Sequence, residues 1–233
     1  MHRFLAAGPF HTGTELSLDP EQSHHAAKVL RLEGGERIGL LDGRGTLAFA
    51  VVTEVHAKHT RVHVEETKQG TGPSRLNLVF GVPKGQALDF LIRRTTELGV
   101  AAFQPLQTQH SAPIKGWNAE RWDGVVAEVC KQCQELYFPK VLPPQNLRDW
   151  LKQRSADRLL LVCDEADREG RSAISAQSEV DLLVGAEGGF SDEERVLLRS
   201  AGAQFLGLGR NRLRAETAAI VALTLAKQQM GEI

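Results

Sequence analysis

Glu187 stands in the run "LLVGAEGGFS", with Gly185 before it and Gly188 and Gly189 after it, so its neighbours add almost no bulk. In "FLGLGRNRLRAETAA", Arg212, Arg214 and Glu216 flank a second glycine-bearing turn at Gly207 and Gly209. A third run, "LVFGVPKG", carries Gly81 and then Lys84 and Gly85. Glycine lets a backbone come close to a ligand and take conformations that other residues avoid. Each run follows an apolar stretch that reads as a strand, and in open α/β sheets ligands bind beyond the carboxyl ends of strands. Three such loops point to a ligand held largely by backbone, with acids and arginines beside it.

The common nucleotide signatures do not fit these loops. "GLGRNR" has an arginine where G-x-G-x-x-G needs its third glycine, and the phosphate loop G-x-x-x-x-G-K-[ST] is missing. No G-x-S-x-G elbow is present. Cys130 and Cys133 form a C-x-x-C on the apolar stripe of a predicted helix, which reads as two core cysteines rather than a redox or zinc site. Most histidines (His2, His11, His24, His25, His56, His59 and His63) precede residue 70 without a compact cysteine or acidic partner set, so no metal is expected. Glu216 falls at the start of a helix, where unpaired N–H groups favour a carboxylate. Arg214, between Leu213 and an apolar helix, reads as a buried anchor or a substrate contact.

The elements that must position these groups come in two styles. Residues 1–70 alternate as β structure, with a turn at Asp42–Gly45 and a short helix in "SHHAAKVLR" for which Ser23 is the expected N-cap. "KQGTGPS" then breaks all periodicity and marks a boundary, so residues 75–233 form a second domain. There, buried-looking strands alternate with helices, which predicts an α/β layer fold with a mostly parallel sheet. One helix carries Leu88, Leu91, Ile92, Thr95 and Leu98 on a stripe and stops at Gly99; another runs from about Ser191 to Arg199. A third places Trp122, Val125, Val126, Val129, Cys130 and Cys133 on one face. Ala218 to Leu223 are all apolar, so the closing helix needs cover on every side, and a homodimer is expected to supply part of it.

A formal charge of −1 argues against an indiscriminate nucleic-acid binder but leaves room for a local basic patch. No apolar run is long enough to span a bilayer, and the start lacks the apolar core of a secretory signal. Three cysteines do not make a disulfide framework. The expectation is a cytoplasmic protein with no membrane partner.

"VPKGQALDFLIRRTTELGVAAFQPL", "LLVGAEGGFSDEE" and "LGLGRNRLRAETAA" together resemble the ribosomal RNA small-subunit methyltransferase E family of SPOUT-class RNA methyltransferases, and "HHAAKVLRLEGGERIGLLDGRG" is similar to that family's PUA-like β-barrel. The resemblance covers nearly the whole chain in order. It implies a trefoil-knotted α/β domain behind a small RNA-binding domain, dimerisation, and transfer of a methyl group from S-adenosylmethionine to N3 of a uridine in 16S rRNA. The cofactor would be held by Gly185, Glu187, Gly188, Leu206, Gly207 and Leu213, the last beside the adenine. Arg214 and Glu216 match the family's Leu-Arg-x-Glu-Thr signature, and Lys84, Gly85 and Glu97 match its first one.

Uracil N3 holds its proton at neutral pH, so a catalyst must take up that proton or stabilise the imide anion. Arg214 is expected beside a uracil carbonyl oxygen, with Glu187 or Glu216 as base or orienter. Arg3, His24, Lys28 and Arg31 are candidate phosphate contacts from the small domain, with Lys84 near the site. Departures fall on the RNA side: Lys131, Gln134 and Glu135 stand where the family has Glu, Gly and Arg, and His110 stands where an arginine is common. Ala186 replaces a common proline. A different RNA position, such as a ribose 2'-hydroxyl, and a non-catalytic RNA- or ribosome-binding homologue are the competing expectations.

Overall fold

A computed structural model describes residues 1–167 and 174–233. The chain divides into two compact units: residues 1–73 with 127–138, and residues 74–126 with 139–233.

The first unit is built on five strands: β1 (Arg3–Leu5), β2 (Glu15–Ser17), β3 (Arg37–Leu41), β4 (Thr46–Glu54) and β5 (Arg61–Gln69), in the order β1-β3-β4-β5-β2. All neighbours are antiparallel except β1 and β3. Along β4, buried and less buried residues alternate as a strand with one face on a core requires. That core holds Phe4, Ile38, Leu40, Ala48, Ala50, Val52, Val62 and Val64. The turn at Asp42–Gly45 is tied by the Asp42 carboxylate, which accepts from the N–H groups of Arg44 and Thr46 at 2.8 and 2.9 Å. Leu136, Tyr137 and Phe138 bond to this turn, and a side chain on Gly45 would strike the Tyr137 ring.

The short helix starts earlier than expected. Helix α1 (Pro20–His24) has Asp19 as its N-cap, accepting from Gln22 N–H at 2.8 Å, and Pro20 at its first position. Aspartate followed by proline is the stronger start signal. Ser23 is instead buried, donating to the Leu18 carbonyl and accepting from Thr60 N–H. A π-helical turn, His25–Val29, follows.

The second unit holds a parallel sheet: β6 (Leu76–Gly81), β7 (Ala102–Gln107), β8 (Lys140–Val141), β9 (Gln145–Asn146), β10 (Leu159–Cys163), β11 (Val180–Val184) and β12 (Gln204–Phe205). The order is β12-β10-β11-β6-β7-β8, with β9 also on β7. Strands β6, β10 and β11 are apolar and almost wholly buried, as expected of parallel strands covered on both faces. Helices α2 (Ala87–Glu97), α3 (Ala119–Cys133), α4 (Leu147–Gln153), α5 (Asp192–Ser200) and α6 (Ala215–Met230) complete the fold. The expected α/β class holds, with a parallel sheet in the second unit and a small β-built unit preceding it in the chain.

Sequence signals account for the helix ends. Leu91, Ile92 and Thr95 of α2 are buried, and Gly99 stops the chain with φ +75°. Ser191 and Glu194 close a reciprocal capping box on α5. Helix α6 packs on α2 and β11 and ends at Gly231, φ +70°. Its Lys227 is buried, donating to the carbonyls of Leu98 and Gly99 at 2.8 and 2.7 Å. On the other side of α6, Ile220, Val221 and Leu225 are only half-buried.

On α3, Trp122, Val125, Val126, Val129 and Cys130 are buried as the stripe predicts, but Cys133 is exposed. It is the last residue of the helix, and Gln134 leaves it in the left-handed region at φ +69°. Opposite the strands' carboxyl ends, Asp181 of β11 is buried under Arg158, Arg154 and Asn77. That network braces the sheet.

Candidate active site

Beyond the carboxyl ends of the parallel strands lies an open cavity. Four pieces of chain wall it: Cys163 at the end of β10 with Asp164 and Glu165; Val184 at the end of β11 with Gly185, Ala186, Glu187 and Gly189; Leu208, Gly209, Asn211, Arg212 and Leu213 before α6; and Ala215 and Ala218 in the first turns of α6. Two of the three glycine runs therefore meet here. Gly81, which ends β6, lies against Ala186: a β-carbon on it would stand 2.8 Å from the Ala186 nitrogen.

Expected cofactor residues Gly185, Glu187 and Leu213 line the cavity. Gly188, Leu206 and Gly207 do not stand among the lining residues. Leu206 is buried, its N–H bonded to the Val162 carbonyl. Gly188 packs under His110, whose β-carbon would be 2.6 Å from a β-carbon on the glycine. His110 thus packs on the loop after β11, with its ring nitrogen 3.4 Å from the Gly189 carbonyl.

The Glu187 carboxylate accepts from the backbone N–H of Lys84 at 2.9 Å, while the Glu187 carbonyl accepts from Arg212 at 3.1 Å. Arg212 also pairs with Glu165 at 3.0 Å. Asp164 is gripped by Arg195 at 2.6 and 3.3 Å, and that hydrogen bond raises the Arg195 pKa. Burial pushes the Cys163 thiol up to about 12, so it stays neutral and offers no nucleophile.

Arg214 is exposed, not buried as its neighbours suggested. It is the N-cap of α6, placed between cavity-lining Leu213 and Ala215, and no side chain caps the helix there. Glu216, half-buried in the first turn, is off the cavity wall. Of the candidate RNA contacts, His24, Lys28, Arg31 and Lys84 are exposed and Arg3 is half-buried. The acids after β10 escaped sequence reasoning, because "LLLVCDEA" ends without a glycine; an acidic pair closing a buried strand was the available signal.

Comparison with known proteins agrees with this geometry. Residues 71–227 match the family model described as RNA methyltransferase domain, and residues 18–65 match the RNA methyltransferase PUA domain. The chain belongs to the ribosomal RNA small subunit methyltransferase E family. The family's member from Synechocystis is 32% identical over 89% of this chain and 71% of its own length. The one from Mycobacterium tuberculosis is 31% identical over 91% and 86%. A crystal structure of the family's enzyme from Neisseria gonorrhoeae, bound to S-adenosyl methionine, superposes with TM-score 0.84 at 25% identity, covering 98% of this chain and 97% of that one. A Legionella pneumophila structure with bound SAM gives 0.83 at 29% identity, covering 97% and 96%. Among the described residues, no helix of this family member is long and apolar enough to cross a membrane.

Proposed function

We propose that the protein transfers the methyl group of S-adenosylmethionine to N3 of a uridine in 16S rRNA, as a cytoplasmic homodimer acting on the small ribosomal subunit. The observation that carries this reading is the make-up of the cavity in a chain that belongs to the family along most of its length. Val184, Ala186, Leu208 and Leu213 offer an apolar wall suited to an adenine, while Glu165 and Glu187 put carboxylates at the rim, suited to a cationic ligand with ribose hydroxyls. The uncapped N–H groups at the start of α6 suit the ligand's own carboxylate.

When bound, the cofactor supplies an already activated methyl group, so the protein's work is positioning and charge stabilisation. Arg214 stands at the edge of the cavity and, among the described residues, forms no ion pair; its guanidinium is available to the uracil carbonyl oxygen where charge grows. Glu187 is committed to Lys84 N–H and acts as a loop tie. Glu216, in the first turn of α6, is left as the group that orients the base or takes its proton. Residues 1–70 hold RNA through Arg3, His24, Lys28 and Arg31, and residues 75–233 carry the chemistry, with Lys84 near it. The half-buried stripe Ile220, Val221 and Leu225 supports a dimer through α6.

Mass spectrometry of 16S rRNA from cells lacking the gene tests the reading. Loss of one 3-methyluridine, restored by the gene, is the expected result. Loss of a ribose methyl, or no loss at all, would replace it with one of the competing functions.

A further inference from the structure

Arg212 does something its neighbours do not. Its Nε pairs with Glu165 at 3.0 Å, and its Nη2 donates to the Glu187 carbonyl at 3.1 Å. One planar guanidinium thereby joins the segment after β10 to the loop after β11. Glu187 in turn accepts from Lys84 N–H on the loop after β6. Four segments around the cavity mouth are strung together by these bonds, and the ionic link in the string is Arg212–Glu165.

We propose that Arg212 is a positioning residue for the adenosyl cofactor: its guanidinium clasps the mouth of the cavity, and the clasp sets how long the ligand stays. This rests on the proposed identity of the ligand. Both charges line the cavity yet face water, the side chains being 62% and 38% exposed. An ion pair so exposed is weak and parts readily, unlike the Asp164–Arg195 pair beside it, whose carboxylate is 1% exposed. The first can open for a ligand and re-form over it; the second holds the floor. A fork with two separate donors suits this task, and a lysine cannot reproduce it from one ammonium.

The test is release of tritiated S-adenosylmethionine from the full chain, chased with unlabelled cofactor. Arg212→Gln is expected to release it about 2- to 5-fold faster, and Glu165→Gln similarly. The two effects should be less than additive in the double variant, since each change removes the ion pair they share. KM for the cofactor should rise in step with release, with kcat falling by a smaller factor. A purely structural role would instead lower both together and lower the melting temperature. Wild-type release should itself quicken several-fold as salt rises from low to high, because screening weakens an exposed pair; this measurement stands even if a variant fails to fold. Unchanged release in Arg212→Gln, or salt-independent release in the wild type, overturns the clasp while leaving the proposed function intact. Failure of the wild type to bind the cofactor overturns both.

Discussion

The carboxylate of Glu187 accepts a hydrogen bond from the backbone N–H of Lys84 at 2.9 Å, tying the loop after β11 to the loop after β6. On the proposed reading, an acid used this way holds the cavity's shape and leaves proton transfer to another group. Glu187→Gln retains an acceptor for that N–H, so cofactor affinity and turnover should stay within a few-fold of wild type. Glu187→Ala removes the tie and should weaken cofactor binding by about 3- to 10-fold, the worth of one hydrogen bond. Titration calorimetry with steady-state rates checks this; a loss of about 100-fold or more in the glutamine variant's turnover would make Glu187 the base after all.

The pair below the cavity is of another kind. Asp164 is buried and held by two bonds from Arg195, itself mostly covered. Removing one partner of such a pair strands the other charge, so Asp164→Asn should cost about 2 kcal/mol or more in urea unfolding. Asp192, which also touches Arg195, is 99% exposed, and Asp192→Asn should leave the unfolding midpoint unchanged.

Gln134 sits at φ +69°, a conformation that suits glycine at the end of a helix. Gln134→Gly should therefore stabilise the protein by up to about 1 kcal/mol, despite the extra freedom of glycine in the unfolded chain. Glu135 after it has a local use: its carboxylate accepts from Tyr137 N–H at 2.9 Å. A lower melting temperature for Gln134→Gly would show that the glutamine side chain earns its place elsewhere.

Cys133 is exposed, and hydrogen bonds from the Cys130 thiol and the Glu135 N–H bring its pKa down to about 7, against a burial effect in the other direction. Its alkylation by iodoacetamide should rise with a midpoint near pH 7, while buried Cys130 and Cys163 stay unmodified in the folded protein. The linkage has a definite sign. Because the folded value lies below the ordinary thiol value of 9.0, Cys133 adds stability in full above pH 9 and loses it as pH falls through 7. Cys163, raised to about 12, works in the opposite sense: its contribution is whole below 9 and is lost as pH climbs towards 12. Peptide mapping after alkylation at several pH values checks the first statement; a midpoint near 9 contradicts it.

What the sequence made legible was local. The stripe and stop of α2 and the Ser191 cap of α5 are written in a few adjacent residues, and so are the glycines that bring Gly185 and Leu213 to one cavity. Features set by distant partners were not. Nothing around Ser23 announces that Thr60 N–H will claim its hydroxyl, or that Asp19 starts the helix instead. Cys133 obeys the apolar spacing but falls where the helix ends, and Lys227 looks solvated until the carbonyls of Leu98 and Gly99 are seen around it. Arg214 followed the same pattern: its neighbours suggested a buried anchor or a substrate contact, and its exposure leaves the second.

The proposed division of labour sets a cavity that holds S-adenosylmethionine beside Arg214, which acts on the uracil. It is tested most directly by measuring cofactor binding and methyl transfer side by side, in wild type and Arg214→Ala, with small subunits lacking the modification as substrate. The wild type should bind the cofactor and place one methyl group on uridine N3; the variant should bind within about threefold and turn over about 100-fold more slowly or worse. Equal losses of binding and turnover in the variant, or a wild type that binds no cofactor, would contradict the account.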